Sequence, residues 1–150
     1  MATVNAYLNF NGNCLEAFNF YKSVFGGEFP YVGKFGDMPP QEGMPPQEGM
    51  PPLPESEKNK IMHITLPISK ETLLMGSDSS EAFGHNHIAG NNISLSIDAQ
   101  SREEADTLFN GLSSGGKINM PMSETFWGAY FGMFTDKFGI HWMINFDEVK

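Results

Sequence analysis

One pattern occurs twice along this chain, and it limits the possible folds more than any other feature. TVNAYLNF alternates, with Val4, Ala6, Leu8 and Phe10 on one side and Asn5, Tyr7 and Asn9 on the other, which predicts a strand with one polar face. NGNCLEAFNFYKSVFGGEF follows, where Asn13 is placed as an N-cap and Glu16 at its third helical position, forming a capping box. Cys14, Ala17, Phe18 and Tyr21 recur at helical spacing until Gly26-Gly27 stop the helix. The same order returns in NNISLSID, which opposes Ile93, Leu95 and Ile97 to Asn92, Ser94 and Ser96. A second helix then runs from the Ser101/Glu104 capping box through Ala105, Leu108, Phe109 and Leu112 to Gly115-Gly116.

Three strand-like stretches follow each helix: EFPYVGKF, NKIMHITLPI and ETLLMGSD, then KINMPM, TFWGAYFGMFTD and IHWMINF. Each half therefore reads βαβββ, and the expected class is α+β, two such modules forming a curved mixed sheet around a cavity. The first module is expected over 1–84, a linker over 85–90 and the second module over 91–150. Strand parity assigns Asn5, Tyr7, Asn9, His63, Thr65, Asn92, Ser94, Ser96, His141, Met143 and Asn145 to the cavity side. A Pro- and Met-rich insertion at 37–58 carries the hexapeptide MPPQEG twice, between the second and third strands of the first module. Its composition favours a spacer. Met38, Met44 and Met50 keep a lid or a dimer contact as alternatives.

Composition narrows the partners. Forty per cent of the residues are hydrophobic and 18% are charged, which suits a globular chain. No apolar run reaches the roughly 20 residues of a membrane-spanning helix, and MATVNAYLNF lacks the features of a signal peptide, so a cytoplasmic protein without a membrane partner is expected. A formal charge of −9 repels nucleic acid and would attract a cationic small molecule if it lined a cleft. The single cysteine, Cys14, excludes an internal disulfide and a multi-cysteine zinc site.

Several side chains are candidates for chemistry, each with a plainer reading beside it. His63, mid-strand on the cavity side, could be a general base or a lone metal ligand, though a hydrogen-bonded, partly buried histidine is the favoured reading. His85-Asn86-His87 pairs two imidazoles in a connector without an acidic neighbour, a weak metal signal. His141 points to the cavity or its rim. Cys14 lies near a helix N-terminus, where a thiolate can be stabilised, but its place on the apolar stripe predicts packing. Ser77-Asp78 could meet a polar ligand group or simply turn the chain. Of the aromatic string Phe126, Trp127, Tyr130, Phe131 and Phe134, most is expected in the core. Trp127, beside Gly128, is the residue expected to stack on a ligand. No glycine-rich phosphate loop joins a strand to a helix, so a nucleotide-type or S-adenosylmethionine site of that kind is not expected.

The strings YLNFNGNCLEAFNFY, FYKSVFGGE, LLMGSDS and above all ETFWGAYFGMFTDKFGIHWMIN resemble the PhnB-like branch of the vicinal-oxygen-chelate superfamily, which includes glyoxalase I, extradiol dioxygenases and bleomycin-resistance proteins. The domain type is also called 3-demethylubiquinone-9 3-methyltransferase-like. The resemblance implies a homodimer and four cavity ligands, usually His, Gln or Glu, on the first and last strands of each half. Those positions fall near Tyr7, Met75, Asn92 and Met143. None is a usual ligand, and a thioether does not replace a carboxylate for a hard cation. No metal ligand is therefore assigned and no cofactor is expected, with a divalent metal kept open. The expected ligand-binding set is Tyr7, Asn9, His63, Thr65, Met75, Asn92, Ser94, Trp127, Met143 and Asn145, with His63 the best catalytic candidate. The expected function is binding of a small organic molecule. The alternatives are a metal-dependent lyase or dioxygenase with unconventional ligands, and sequestration of a cationic antibiotic.

Overall fold

The structure, a computed structural model, describes residues 2–37, 55–80 and 87–147. The MPPQEG repeats and His85-Asn86 lie outside the described residues. The chain divides into two compact units, Met1–His87 and Ile88–Lys150. The first holds β1 (Ala6–Phe10), α1 (Cys14–Phe25), β2 (Tyr31–Lys34), a short α2 (Glu55–Lys58), β3 (Ile61–Pro67) and β4 (Leu73–Asp78). The second holds β5 (Leu95–Asp98), α3 (Arg102–Ser113), β6 (Lys117–Glu124), β7 (Ala129–Thr135) and β8 (His141–Asp147).

Each unit carries one four-stranded sheet, ordered β1-β4-β3-β2 in the first and β5-β8-β7-β6 in the second. In both, the first strand runs parallel to the last while the other neighbours are antiparallel. This is the βαβββ architecture expected from the doubled pattern. In the first unit Cys14, Ala17, Phe18 and Tyr21 of α1 are buried, as are Leu8, Phe10, Ile64, Leu66 and Leu74 of the sheet. Each fully buried large apolar side chain stabilises the fold by about 1.5–3 kcal/mol. Phe18 meets Phe10 edge-on at 6.2 Å and Tyr21 at 5.7 Å. A Cβ at Gly76 would lie 2.7 Å from the Phe18 ring and 2.9 Å from the Leu8 carbonyl oxygen, so glycine is what lets this helix seat. In the second unit Phe109 of α3 packs edge-on against Phe134 at 5.1 Å, and a Cβ at Gly132 would lie 2.8 Å from the Phe109 ring.

The helix starts differ from each other, and one differs from expectation. Ser101 accepts from the Glu104 N–H at 3.0 Å, as a capping residue should, and Glu104 reaches back to the Gln100 N–H at 3.2 Å. Asn13 makes no side-chain cap. The start of α1 is held instead by Asp78 at the end of β4, whose Oδ1 accepts from the N–H groups of Gly12 (2.9 Å) and Cys14 (3.0 Å). Its Oδ2 accepts from Ile61 N–H at 2.8 Å. A carboxylate is a strong acceptor for backbone N–H groups, so Asp78 anchors the entry to α1 from another strand. Asp136 plays a similar part in the second unit, accepting from Phe138 and Ile140 N–H and from Trp142 Nε1.

Three strand boundaries also shift. Asn5 precedes β1, and its Oδ1 accepts from Leu73 N–H at 2.9 Å rather than lining the open face. The strand expected over NNISLSID begins only at Leu95, which leaves Asn92 and Ser94 before it. The ladder with β8 starts at Leu95–Trp142, and β8 itself starts at His141, so on this register Ile93 and the residues before it have no β8 residue alongside. Phe126 and Trp127 lie in the turn between β6 and β7, because Gly128 takes φ +89°, which interrupts extended backbone. Among the described residues no helix is long and apolar enough to cross a membrane.

Candidate functional site

Alternation sorts the first sheet into two faces. Leu8, Ile64 and Leu74 go under α1, and their neighbours in sequence go to the opposite, open face. There the ladder sets Tyr7 opposite Met75, Met75 opposite Thr65, and Thr65 opposite Tyr31, a single row across all four strands. The neighbouring row contains Asn9 opposite Ser77 and His63 opposite Gly33. Tyr7 and Tyr31 keep 44% and 50% of their surface exposed.

His63 is the centre of this face. Its Nδ1 lies 3.3 Å from the Tyr7 hydroxyl and its Nε2 lies 3.0 Å from the Thr65 hydroxyl. The Tyr7 ring stands 5.5 Å from the imidazole and the Tyr31 ring 5.7 Å, tilted by 41° and 52°. Tyr31 reaches this position by leaning along its own strand over Gly33, where a Cβ would meet its hydroxyl at 2.7 Å. Sequence reasoning did not single out Tyr31. The signal was there: in YVGKF, Tyr31 and Gly33 share a face, and a glycine two residues from a tyrosine leaves room for its ring.

On the second sheet, Thr135 stands opposite His141, Met133 opposite Met143, and Phe131 opposite Asn145. His141 Nδ1 lies 3.0 Å from the Thr135 hydroxyl, which also receives Asn119 Nδ2 at 3.2 Å, and His141 Nε2 lies 3.2 Å from the Gly90 carbonyl oxygen. Asn145 donates to Asp98 at 3.3 Å and Asp147 at 3.2 Å. Trp127, 60% exposed, meets Phe131 at 6.2 Å and Phe126 at 5.0 Å, both edge-on. Tyr130 and Phe134 belong to the core, Tyr130 donating to Asp106 at 2.6 Å with Arg102 4.0 Å over its ring. The bond to Asp106 raises the Tyr130 phenol above its usual range.

The structure thus brings Tyr7, Asn9, His63, Thr65 and Met75 onto one face, with Met143 and Asn145 on strand β8 of the other unit. Asn92 and Ser94 stand outside any strand, and Trp127 sits at a turn. His87 Nε2 contacts the Asn9 carbonyl oxygen at 3.3 Å. Cys14 is buried, and desolvation, with the Asp78 charge adding, pushes its thiol far above the ordinary range, the opposite of a reactive thiolate. Asp78 is spent on three backbone N–H groups.

A metal of the kind the superfamily uses does not fit the donors present. Among the described residues no group of three or more His, Cys, Asp and Glu side chains could hold an ion. Tyr7 and Met75, opposite each other in the ladder, offer a phenol and a thioether, Met143 offers another thioether, and both nitrogens of His63 are turned to hydroxyls.

Comparison with known proteins places these features in a family. A family model described as 3-demethylubiquinone-9 3-methyltransferase matches residues 2–145. Protein YjdN of Escherichia coli is 34% identical over 144 residues, covering 95% of this chain and 93% of that protein. The crystal structure of protein PA1353 from Pseudomonas aeruginosa is 38% identical, with a TM-score of 0.80 over 98% of both chains. The PhnB protein of Bacillus cereus is 26% identical, with a TM-score of 0.70 over 97% of this chain and 99% of that one. A glyoxylase/bleomycin resistance protein/dioxygenase domain from Frankia, 12% identical at a TM-score of 0.65 over 99% of this chain and 98% of that one, shares the fold. The chain belongs to the family described as 3-demethylubiquinone-9 3-methyltransferase, a PhnB-like member of the group with the glyoxalase-type fold.

Proposed function

We propose that this protein binds a small organic molecule on the open face of its first sheet, through Tyr7, Tyr31, His63 and Thr65, with Asn9 and Met75 completing the floor. The observation that carries this reading is an imidazole flanked by two phenol rings and two hydroxyls on the face that α1 leaves open. Aromatic walls with a few placed polar groups are what small-molecule sites are made of. In this reading the protein works as a cytoplasmic homodimer.

The family description names methyl transfer. Two observations argue against a phosphate-bearing or nucleotide-like donor at the helix starts: the Asp78 carboxylate sits at the start of α1, taking the Gly12 and Cys14 N–H groups, and Ser101 takes one N–H at the start of α3. A cationic ligand has separate support, since the chain carries a formal charge of −9 and the two tyrosine faces attract cations.

A thermal-shift screen of metabolites and cationic drugs tests the reading, because a ligand stabilises the folded state by RT ln(1 + [L]/Kd). The expected result is a rise in Tm that Tyr31→Ala and His63→Ala both abolish. A panel that shifts nothing, or a shift that survives both substitutions, overturns it.

A further inference from the structure

We infer that the hydrogen-bonded chain Tyr7–His63–Thr65 recognises its ligand through one hydrogen-bond donor and one acceptor presented together, as on the edge of a planar amide or lactam. The imidazole tautomer of His63 sets which hydroxyl gives and which receives. This rests on the binding face proposed above and names the chemistry it takes.

A neutral imidazole carries a proton on one nitrogen and a lone pair on the other, whereas a hydroxyl can both donate and accept. When Nε2 holds the proton, it donates to the Thr65 oxygen, and Tyr7 donates to Nδ1. The Tyr7 oxygen then has a lone pair for a ligand donor, and the Thr65 hydroxyl proton is left for a ligand acceptor. Moving the imidazole proton to Nδ1 reverses both. In either tautomer, one hydroxyl of the chain gives outward while the other receives.

Among the described residues Tyr7 Oη and Thr65 Oγ1 have no further hydrogen bond that would select one tautomer. The second sheet shows what selection looks like. His141 Nε2 faces the Gly90 carbonyl oxygen, which only accepts, so Nε2 must carry the proton. Thr135 must then donate to Nδ1 while it receives Asn119, which closes a one-way chain from Asn119 to Gly90. The Tyr7–His63–Thr65 chain on the first sheet also has an imidazole–threonine contact, through Nε2 rather than Nδ1, with both ends open. The tilted rings of Tyr7 and Tyr31 add apolar walls suited to a flat ligand.

The test uses the full chain with 15N-labelled histidine, titrated with benzamide and with N,N-dimethylbenzamide, which keeps the ring and the acceptor but has no donor. The expected result is that benzamide shifts the Tyr7 and Tyr31 ring signals and drives the His63 ring nitrogens to one tautomer, while His141 keeps its proton on Nε2. The dimethyl compound should bind about 10-fold more weakly, the value of one hydrogen bond to a group otherwise left unpaired. Thr65→Val should weaken benzamide binding in either tautomer, because one of its two hydrogen bonds is lost, and Thr65→Ser should restore it. If both amides shift the tyrosines equally and His63 keeps its tautomer mixture, the donor–acceptor inference is overturned while the binding face stands. If neither amide moves any signal of the face, the inference is overturned, and the thermal-shift panel decides the binding reading separately.

Discussion

His63 and His141 are both partly buried on the open face of a sheet and both touch a threonine hydroxyl, yet their surroundings differ. The first has hydroxyls at both nitrogens and two tyrosine rings within 6 Å; the second is tied to a backbone carbonyl and a donor-fed threonine. The same side chain is therefore adaptable in one unit and committed in the other. A similar contrast divides the two buried carboxylates. Asp78, 4% exposed, joins the starts of α1 and β3 across long separations in sequence, while Asp136, 3% exposed, closes the turn that follows it and reaches Trp142.

The carboxylate contrast gives the largest expected effect. Asp78→Ala strands three backbone N–H groups, two of them in buried bonds, and should cost about 3–5 kcal/mol in urea unfolding. Asp136→Ala strands two part-buried N–H groups and one buried indole N–H, and should cost about 2–3 kcal/mol, since water can serve the turn. Equal costs would erase the distinction between a long-range and a local anchor.

Glycine substitutions come next. Gly76→Ala should destabilise by about 1–3 kcal/mol, because the new methyl meets the Leu8 carbonyl oxygen, which cannot move without its strand. Gly132→Ala should fall at the lower end of that range, since its nearest neighbour is the flexible Met122 thioether at 2.7 Å. A reversed order in thermal unfolding would show that the second helix seats as tightly as the first.

For the histidines, His141→Ala should cost about 1 kcal/mol of stability by opening the Asn119–Thr135–His141–Gly90 chain. His63→Ala should leave stability nearly unchanged and remove ligand-induced stabilisation. A stability loss at His63 as large as at His141, without loss of binding, would make both imidazoles structural.

The smallest effect concerns the helix caps. Ser101→Ala should cost about 1 kcal/mol, the usual value for an N-cap that accepts a backbone bond. Asn13→Ala should cost only a few tenths, because its side chain caps nothing. Equal losses in urea midpoints would mean that Asn13 supports α1 by a route other than capping.

Much of this was legible in the residues. The alternation in TVNAYLNF and NKIMHITLPI placed Tyr7, His63 and Thr65 on one face, and the helical stripes named Cys14, Ala17, Phe18, Ala105 and Phe109 as core. Both faces follow from side-chain directions that repeat every two or 3.6 residues, which a sequence displays directly. What failed was decided at a distance. Asn13 was the local cap candidate, yet its side chain caps nothing, and the start of α1 is held by a carboxylate 64 positions from Cys14 in the chain. Ile93 had the right parity for β5, but within its unit no strand lay alongside it.

The amino-acid sequence by itself determined two βαβββ modules, their buried faces and the histidine at the centre of the first open one, because period and composition act locally. Only the tertiary structure decided that Tyr31 leans over Gly33 to reach His63, that Asp78 caps a helix from another strand, and that one imidazole is tied to a carbonyl while the other is left between hydroxyls. Those choices depend on which strands become neighbours and on the register between them, and a hydrogen bond between strands is set by position in space rather than along the chain.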